Sequence, residues 1–413
     1  MNCSYSCDDQ PLSIEPYADI SGPGVIASFT GTAYMVILFL LIYYIFIFDP
    51  KVDPFRVLDD NISKSYYVNP VDDTVLRNIR SYVRALVPSR WASHCGRLKS
   101  GKLEATFNKC VLVLADMQIV TGLAILISGF SSINCRLSSY HWQIIVYLAW
   151  LSSLTHLSTL TFLRSYFNNH PAECYSRLVL MLALITLLCA AAIPTASFHF
   201  NGEDASNFRP SYFAICFYKS KMNTGTVAFQ SMITFLFLSI YNYTIRIAKL
   251  SERVMTKSHR IVVYFNERFN NQVELWKPLE PHHTALEALK EHVARPLLIA
   301  LIGVIIIQLS LFSSVLAEIY WLVIALAWGS LSLFGIRSYG PTTERAFTFG
   351  QVLPLVMLAA PLFSIFENLI KNFYPCESSW LALLPWAYIH AYLQDLQVMV
   401  SRPVPSFSFS LLS

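Results

Sequence analysis

The sequence predicts an all-α, polytopic transmembrane helical bundle of about eight spans, and three observations predict it. Of 413 residues, 54% are hydrophobic and only 14% are charged, well below the roughly 25% charge of an ordinary soluble domain. Apolar runs long enough to cross about 30 Å of hydrocarbon recur near 24–48, 106–130, 142–163, 178–197, 225–245, 297–316, 319–336 and 347–370. The basic residues are spread through the polar loops between those runs, which gives no support to nucleic-acid binding. The count becomes seven if the runs flanking Glu318 are not both crossings.

Taken in order, segment 1–23 carries Asp8, Asp9, Glu15 and Asp19 but no Lys or Arg. It lacks the basic start of a signal peptide, so the first run reads as a retained span. Residues 24–370 form the bundle, with basic loops near 49–105 and 246–296. The positive-inside bias places both loops in the cytoplasm and the N-terminus in the lumen or outside. In the first loop, Val75, Ile79, Tyr82, Val83 and Leu86 recur near helical spacing; this suits a helix lying on an anionic leaflet or one packing on the bundle. The second loop holds EPHHTALEALKEHVARP, where Thr284 and Glu287 resemble a capping box. Its His282 and His283 read as solvated side chains, and no metal is expected. The tail 371–413 contains SSWLALLPWAYIHAYLQDL, too short for a crossing and read as interfacial. Cys3, Cys7, Cys135, Cys216 and Cys376 fall on the lumenal side of this topology, where one or two disulfides are expected.

The chemistry centres on polar residues inside apolar runs. In LADMQIVTGLAILISGF, Asp116 sits in an oily helix, where a central Asp costs roughly 2.5 to 3.5 kcal/mol. It reads either as an acid kept protonated in a low-dielectric pocket or as a structural contact to another helix. Gln118 points elsewhere, and Gly122 and Gly129, seven apart, allow close helix approach. In the third run, Ser152, Ser153, His156 and Thr159 form a polar stripe. Tyr147 and Trp150 lie deep enough to line a cavity, whereas Tyr140 and Trp142 read as interfacial anchors. Glu318 is expected in a lumenal turn, LAEIYW, and Glu367 at the end of the last span. Arg164, Arg177 and Arg337 are explained by topology, with the holding of an anionic substrate as the functional alternative. Ser153 and His156 lack an orienting acid, so no catalytic triad is read.

Four blocks, DISGPGVIASF, DMQIVTGLAILISGF, YHWQIIVYLAWLSSLTHLSTLTFLR and FTFGQVLPLVMLAAPL, resemble a large family of filamentous-fungal multi-pass membrane proteins. That family includes the membrane-bound terpene cyclases of the ascofuranone type, and the resemblance runs over most of the chain. It implies a metal-independent cyclase of meroterpenoid secondary metabolism, without cofactor, in the endoplasmic reticulum membrane. The implied substrate is a lipophilic prenylated aromatic carrying an epoxidised farnesyl chain. An acid protonates the epoxide, and a hydroxyl or alkene traps the cation. Within that chemistry Asp116 is the leading proton donor, with Glu318 and Glu367 in reserve. His156 orients a hydroxyl or accepts a proton, Tyr147 and Trp150 line the cation path, and Gln118 and Ser153 contact the substrate. The rivals are a seven-helix receptor or sensor and a small-solute transporter. No internal repeat supports the transporter, and no protein partner is assigned.

Overall fold

The computed structural model describes residues 5–8, 11–52, 68–86, 101–200, 208–219, 222–274, 293–345 and individual residues from 348 to 363. In chain order the helices are α1 (Ala18–Ser21), α2 (Pro23–Phe46), α3 (Pro70–Leu86), α4 (Gly101–Ser132), α5 (Ser139–Phe162), α6 (Arg164–Asn169) and α7 (Pro171–Ala192). The 3-10 turn η1 (Ile193–Ser197) leads to α8 (Ala214–Lys219), α9 (Val227–Lys249), α10 (Glu252–Glu274), α11 (Arg295–Ser313), α12 (Val315–Arg337) and the turn η2 (Thr342–Arg345). Among the described residues there is no strand, only a bridge between Ser138 and Phe213. The all-α expectation holds.

Among the described residues six segments are long and apolar enough to cross a membrane: Ala18–Phe46, Phe107–Ser132, Ser139–Phe162, Pro171–Ser197, Arg295–Ser313 and Val315–Arg337. Their starts follow ordinary capping chemistry. Pro23 occupies the first turn of α2, where its missing N–H costs nothing. Ser138, Thr226 and Ser314 cap α5, α9 and α12 through their side-chain oxygens.

α5 is the centre of the bundle, packed against α2, α4, α7, α9 and α12. Every residue in it except Tyr147 is buried. Such burial is compatible with so many hydroxyls because most of them bond back to the helix itself. Thr155, Ser158, Thr159 and Thr161 each reach the carbonyl four residues earlier at 2.8 to 3.2 Å. Ser152 instead donates to the Gln118 carbonyl of α4 at 2.7 Å. That contact needs the close approach the glycines allow: a Cβ on Gly122 would overlap the Ser152 hydroxyl, and one on Gly129 would lie 3.0 Å from Ile145 Cδ1. Gly122→Ala is expected to destabilise the protein by about 1 to 3 kcal/mol through overpacking. Thermal unfolding of the detergent-purified variant checks this, and an unchanged midpoint would contradict the packing.

The bundle has two polar ends. α2, α5 and α9 finish, and α12 begins, at a basic end where Arg164, Arg246 and Lys249 gather. At the opposite end α2 and α5 begin, α12 finishes and η2 supplies Glu344. This corrects the expected place of Glu318. It lies in the first turn of α12 at the basic end, beside Arg164, and not in a turn at the other end. Hydropathy had paired α11 with α12 as neighbouring crossings, yet α11 packs on α10 and α3. It leaves Leu297, Leu301, Val304 and Ile307 exposed, an apolar surface that needs lipid cover. α10 is itself a helix where a loop was expected.

α3 packs on the bundle, the second of its two expected settings. Leu76 is buried whereas Tyr82 is exposed. Its buried Asp72 accepts from the N–H groups of Val315 and Leu316 at 3.0 and 3.1 Å, from Ser314 Oγ at 2.9 Å and from Tyr44 at 3.0 Å. A carboxylate there complements the positive end of α12. Cys7 and Cys216, two of the cysteines expected to pair, form a disulfide, and Cys135 is also disulfide-bonded.

Candidate functional site

A cavity of about 600 Å³ opens at the Glu344 end, lined by Ser21, Tyr140, Phe334, Arg337, Gly340 and Glu344 among others. That volume lies in the range of small-molecule sites. The first residues of α5 and the turn η2 build its polar wall. Glu344 Oε1 sits 2.7 Å from His141 Nε2 and accepts the Tyr17 N–H at 2.8 Å. Its Oε2 accepts from the Tyr140 hydroxyl at 3.4 Å. His141 Nδ1 is in turn 2.7 Å from Ser138 Oγ, so the imidazole is fixed from both sides. Burial pushes the Glu344 carboxyl up, but the hydrogen bond from His141, with those of Ser21 and the Tyr17 N–H, holds it below the ordinary carboxylate range. Gly340 lies against the Tyr140 hydroxyl, and a Cβ there would overlap it. The site therefore offers an ionised base, a phenol bonded to it, a guanidinium and an apolar wall in one cavity.

The basic end carries a second constellation. Glu318 Oε1 meets Lys249 Nζ at 2.6 Å and Arg164 Nη2 at 3.0 Å. Its Oε2 meets Thr161 Oγ1 at 2.6 Å and Arg246 Nη1 at 2.9 Å. Arg246 also donates to the carbonyls of Leu157 and Glu318, both at 3.2 Å. One buried carboxylate thus ties the ends of α5 and α9 to the start of α12.

The residues expected to form the site are dispersed. Asp116 is not sealed in an apolar pocket: its side chain is 47% exposed and takes both Arg177 nitrogens, Nε and Nη2, at 2.8 Å. This matches the structural alternative of a contact between helices. Because Arg177 keeps Glu173 at 3.1 Å, Asp116→Asn leaves no orphaned charge and is expected to cost less than the roughly 3 to 5 kcal/mol of breaking a buried pair. Thermal unfolding measures it, and a loss of several kcal/mol would show that the pair matters more. His156 is buried and its Nε2 has no partner, as is the case for Gln118 Oε1. Ser153 donates to the Trp150 carbonyl at 2.8 Å. Tyr147 and Trp150 do come together, both about 6 Å from Trp328, with Phe235 5.0 Å from Trp150. None of these side chains lines the Glu344 cavity. Glu367 lies outside the described residues, as do His282, His283 and the aromatic tail segment.

Two assignments are corrected outright. Tyr140 and Trp142 are not interfacial anchors but buried groups. Tyr140 reaches Glu344, and Trp142 Nε1 donates to the Ala191 carbonyl at 2.8 Å. Glu344 was missed altogether because it sits in a short turn just before an arginine, where a solvated carboxylate is the ordinary case. His141, inside the YHW block, was the one signal that could have found it. Among the described residues no group of three or more His, Cys, Asp or Glu side chains gathers in a way that could hold a metal ion.

No known family profile matches the chain, and no solved structure matches it. A curated protein of Elsinoe fawcettii, "Elsinochromes biosynthesis cluster protein HP3", is 29% identical to it over 163 residues, which is 38% of this chain and 51% of that protein. The chain spans about half the length of this relative. Over that stretch, a helical chain with membrane-crossing segments is similar to a protein of a fungal secondary-metabolite biosynthesis cluster.

Proposed function

We propose that the chain is a membrane-bound terpene cyclase of fungal secondary metabolism. It opens the epoxide of a farnesyl-aromatic substrate by acid and closes a ring, a tetrahydrofuran where oxygen is the trap. The observation that carries the reading is the cavity at the Glu344 end, where a carboxylate, a phenol and a guanidinium face apolar wall. The likeness to a biosynthesis-cluster protein supports the setting. Cyclisation is an isomerisation, so one proton cycle suffices. Tyr140 gives its proton to the epoxide oxygen as the C–O bond breaks, and Arg337 steadies the phenolate. Glu344 takes the proton of the attacking substrate hydroxyl as the new C–O bond forms, then returns it to Tyr140. Asp116 and Glu318 act in this reading as structural ion pairs. The disulfide at this end agrees with a lumenal N-terminus in the endoplasmic reticulum membrane.

The test is incubation of microsomes carrying the protein with epoxidised farnesyl phenols, followed by chromatography and mass analysis. An isomeric cyclic product that depends on the protein supports the reading. Failure to convert any of a panel, with folded protein present, would sink it.

A receptor or sensor is the second reading, favoured by one observation. α2, α4, α5, α7, α9 and α12 alternate between the two ends, and the described residues from Gly350 to Ala359 start another helix at the Glu344 end. With α11 left aside, the described residues thus give seven alternating helices, the number a receptor needs. A ligand-dependent signal without product formation would favour it.

A further inference from the structure

We propose that the basic end of the bundle binds a phosphate-type oxyanion, supplied either as free phosphate or as a phosphomonoester lipid headgroup. The site is the cavity of about 60 Å³ between the ends of α2 and α5, the start of α3 and the first turns of α10. That is room for about four waters or one phosphate group. It is separate from the cavity at the Glu344 end and does not depend on the function proposed for it.

Two observations require an anion there. The first is charge. Arg164, Arg246 and Lys249 are all buried, and among the described residues the carboxylates buried near them are Glu318 and Asp72. Among the described side chains three cations face two anions, an excess of one positive charge that an oxyanion beside Arg164 offsets. Asp72 also lines the cavity, but its oxygens are engaged by Tyr44 and by three donors at the start of α12. The second is a specific donor. Arg164 lines the cavity and gives Nη2 to Glu318, yet its Nε is buried with no partner. A guanidinium with an unused N–H is what an oxyanion engages best. Ser165 and His259 also line the cavity, as do Leu40, Tyr43 and Met255. The apolar side suits the first methylenes of a lipid chain.

The test uses the purified full-length protein in neutral detergent. Its unfolding midpoint is followed against inorganic phosphate, with chloride at equal ionic strength as control. A second titration uses short-chain phosphatidic acid against phosphatidylcholine of the same chains. A saturable rise is expected in the parent. Arg164→Lys keeps a cation for Glu318 but lacks the Nε donor, and Ser165→Glu adds a carboxylate to the exposed part of the wall without touching the cluster. Each is expected to weaken half-saturation at least about tenfold, the scale of one hydrogen bond to a charged group. A rise with phosphatidic acid alone assigns a lipid headgroup, and a rise with phosphate in both forms or in free form alone assigns the oxyanion itself. No saturable rise in the parent, or an equal rise in parent and variants, overturns the proposal. If Arg164→Lys does not fold, Ser165→Glu decides.

Discussion

Glu318→Ala is expected to leave almost no folded protein in the membrane. The substitution removes the one side chain that holds Arg164, Arg246 and Lys249 together, all within 3.0 Å of it. Breaking a buried pair by deleting one partner costs about 3 to 5 kcal/mol, because the other charge stays behind. Here three charges stay behind. With total stabilities of about 5 to 15 kcal/mol, a loss of that size empties the native state. Lys249→Met should be milder, since Glu318 keeps two guanidiniums and the Thr161 hydroxyl, and the buried positive excess falls. Detergent-extracted yield and thermal unfolding measure both variants. Equal stability of Glu318→Ala and the parent would refute the latch, and a Lys249→Met variant worse than Glu318→Ala would refute its charge balance.

The fold was legible in the sequence wherever a single physical signal sufficed. Apolar length picked out six of the eight expected runs as segments long and apolar enough to cross among the described residues, and the spacing of Gly122 and Gly129 indicated the tight contact between α4 and α5. Sequence could not say which apolar helix joins the bundle, because α11 and α12 are equally oily and only packing separates them. That is why Glu318 was expected at the wrong end. The sites were legible only in part. An acid inside an apolar run draws attention, so Asp116 stood out, although its partner Arg177 lies 61 residues away and neutralises it. Glu344 lies 203 residues from His141, and no local pattern links a turn carboxylate to a histidine on a distant helix. Tyr147 and Trp150 were expected to line a cavity, and both lie about 6 Å from Trp328. Their fellow Trp328 belongs to α12, and the resulting cluster fills space without bordering the Glu344 cavity.

Tyr140→Phe and Glu344→Gln are each expected to lower turnover of an epoxidised farnesyl phenol roughly 10²- to 10⁴-fold, the usual scale for a positioned acid or base. Tyr140→Phe keeps the buried ring and removes only the hydroxyl, so its folding should survive. The pH dependence follows from the sign of the Glu344 shift. Its carboxyl is held below the ordinary value of 4.5, so the base is already ionised at neutral pH. Activity and the stability contributed by its bonds should both persist down to about pH 4.5. They should be lost as the pH falls further through the folded value. Since the His141 hydrogen bond does most to lower that value, His141→Gln should move the acid limb of the rate profile upward while leaving the plateau in place. Initial rates from pH 3.5 to 8, on microsomes matched for folded protein, decide the matter. A plateau that falls with no movement of the limb would make His141 merely structural. Full activity in Tyr140→Phe would require the epoxide to take its proton elsewhere, and Asp116, Glu318 and Glu367 would then be the carboxylates to test.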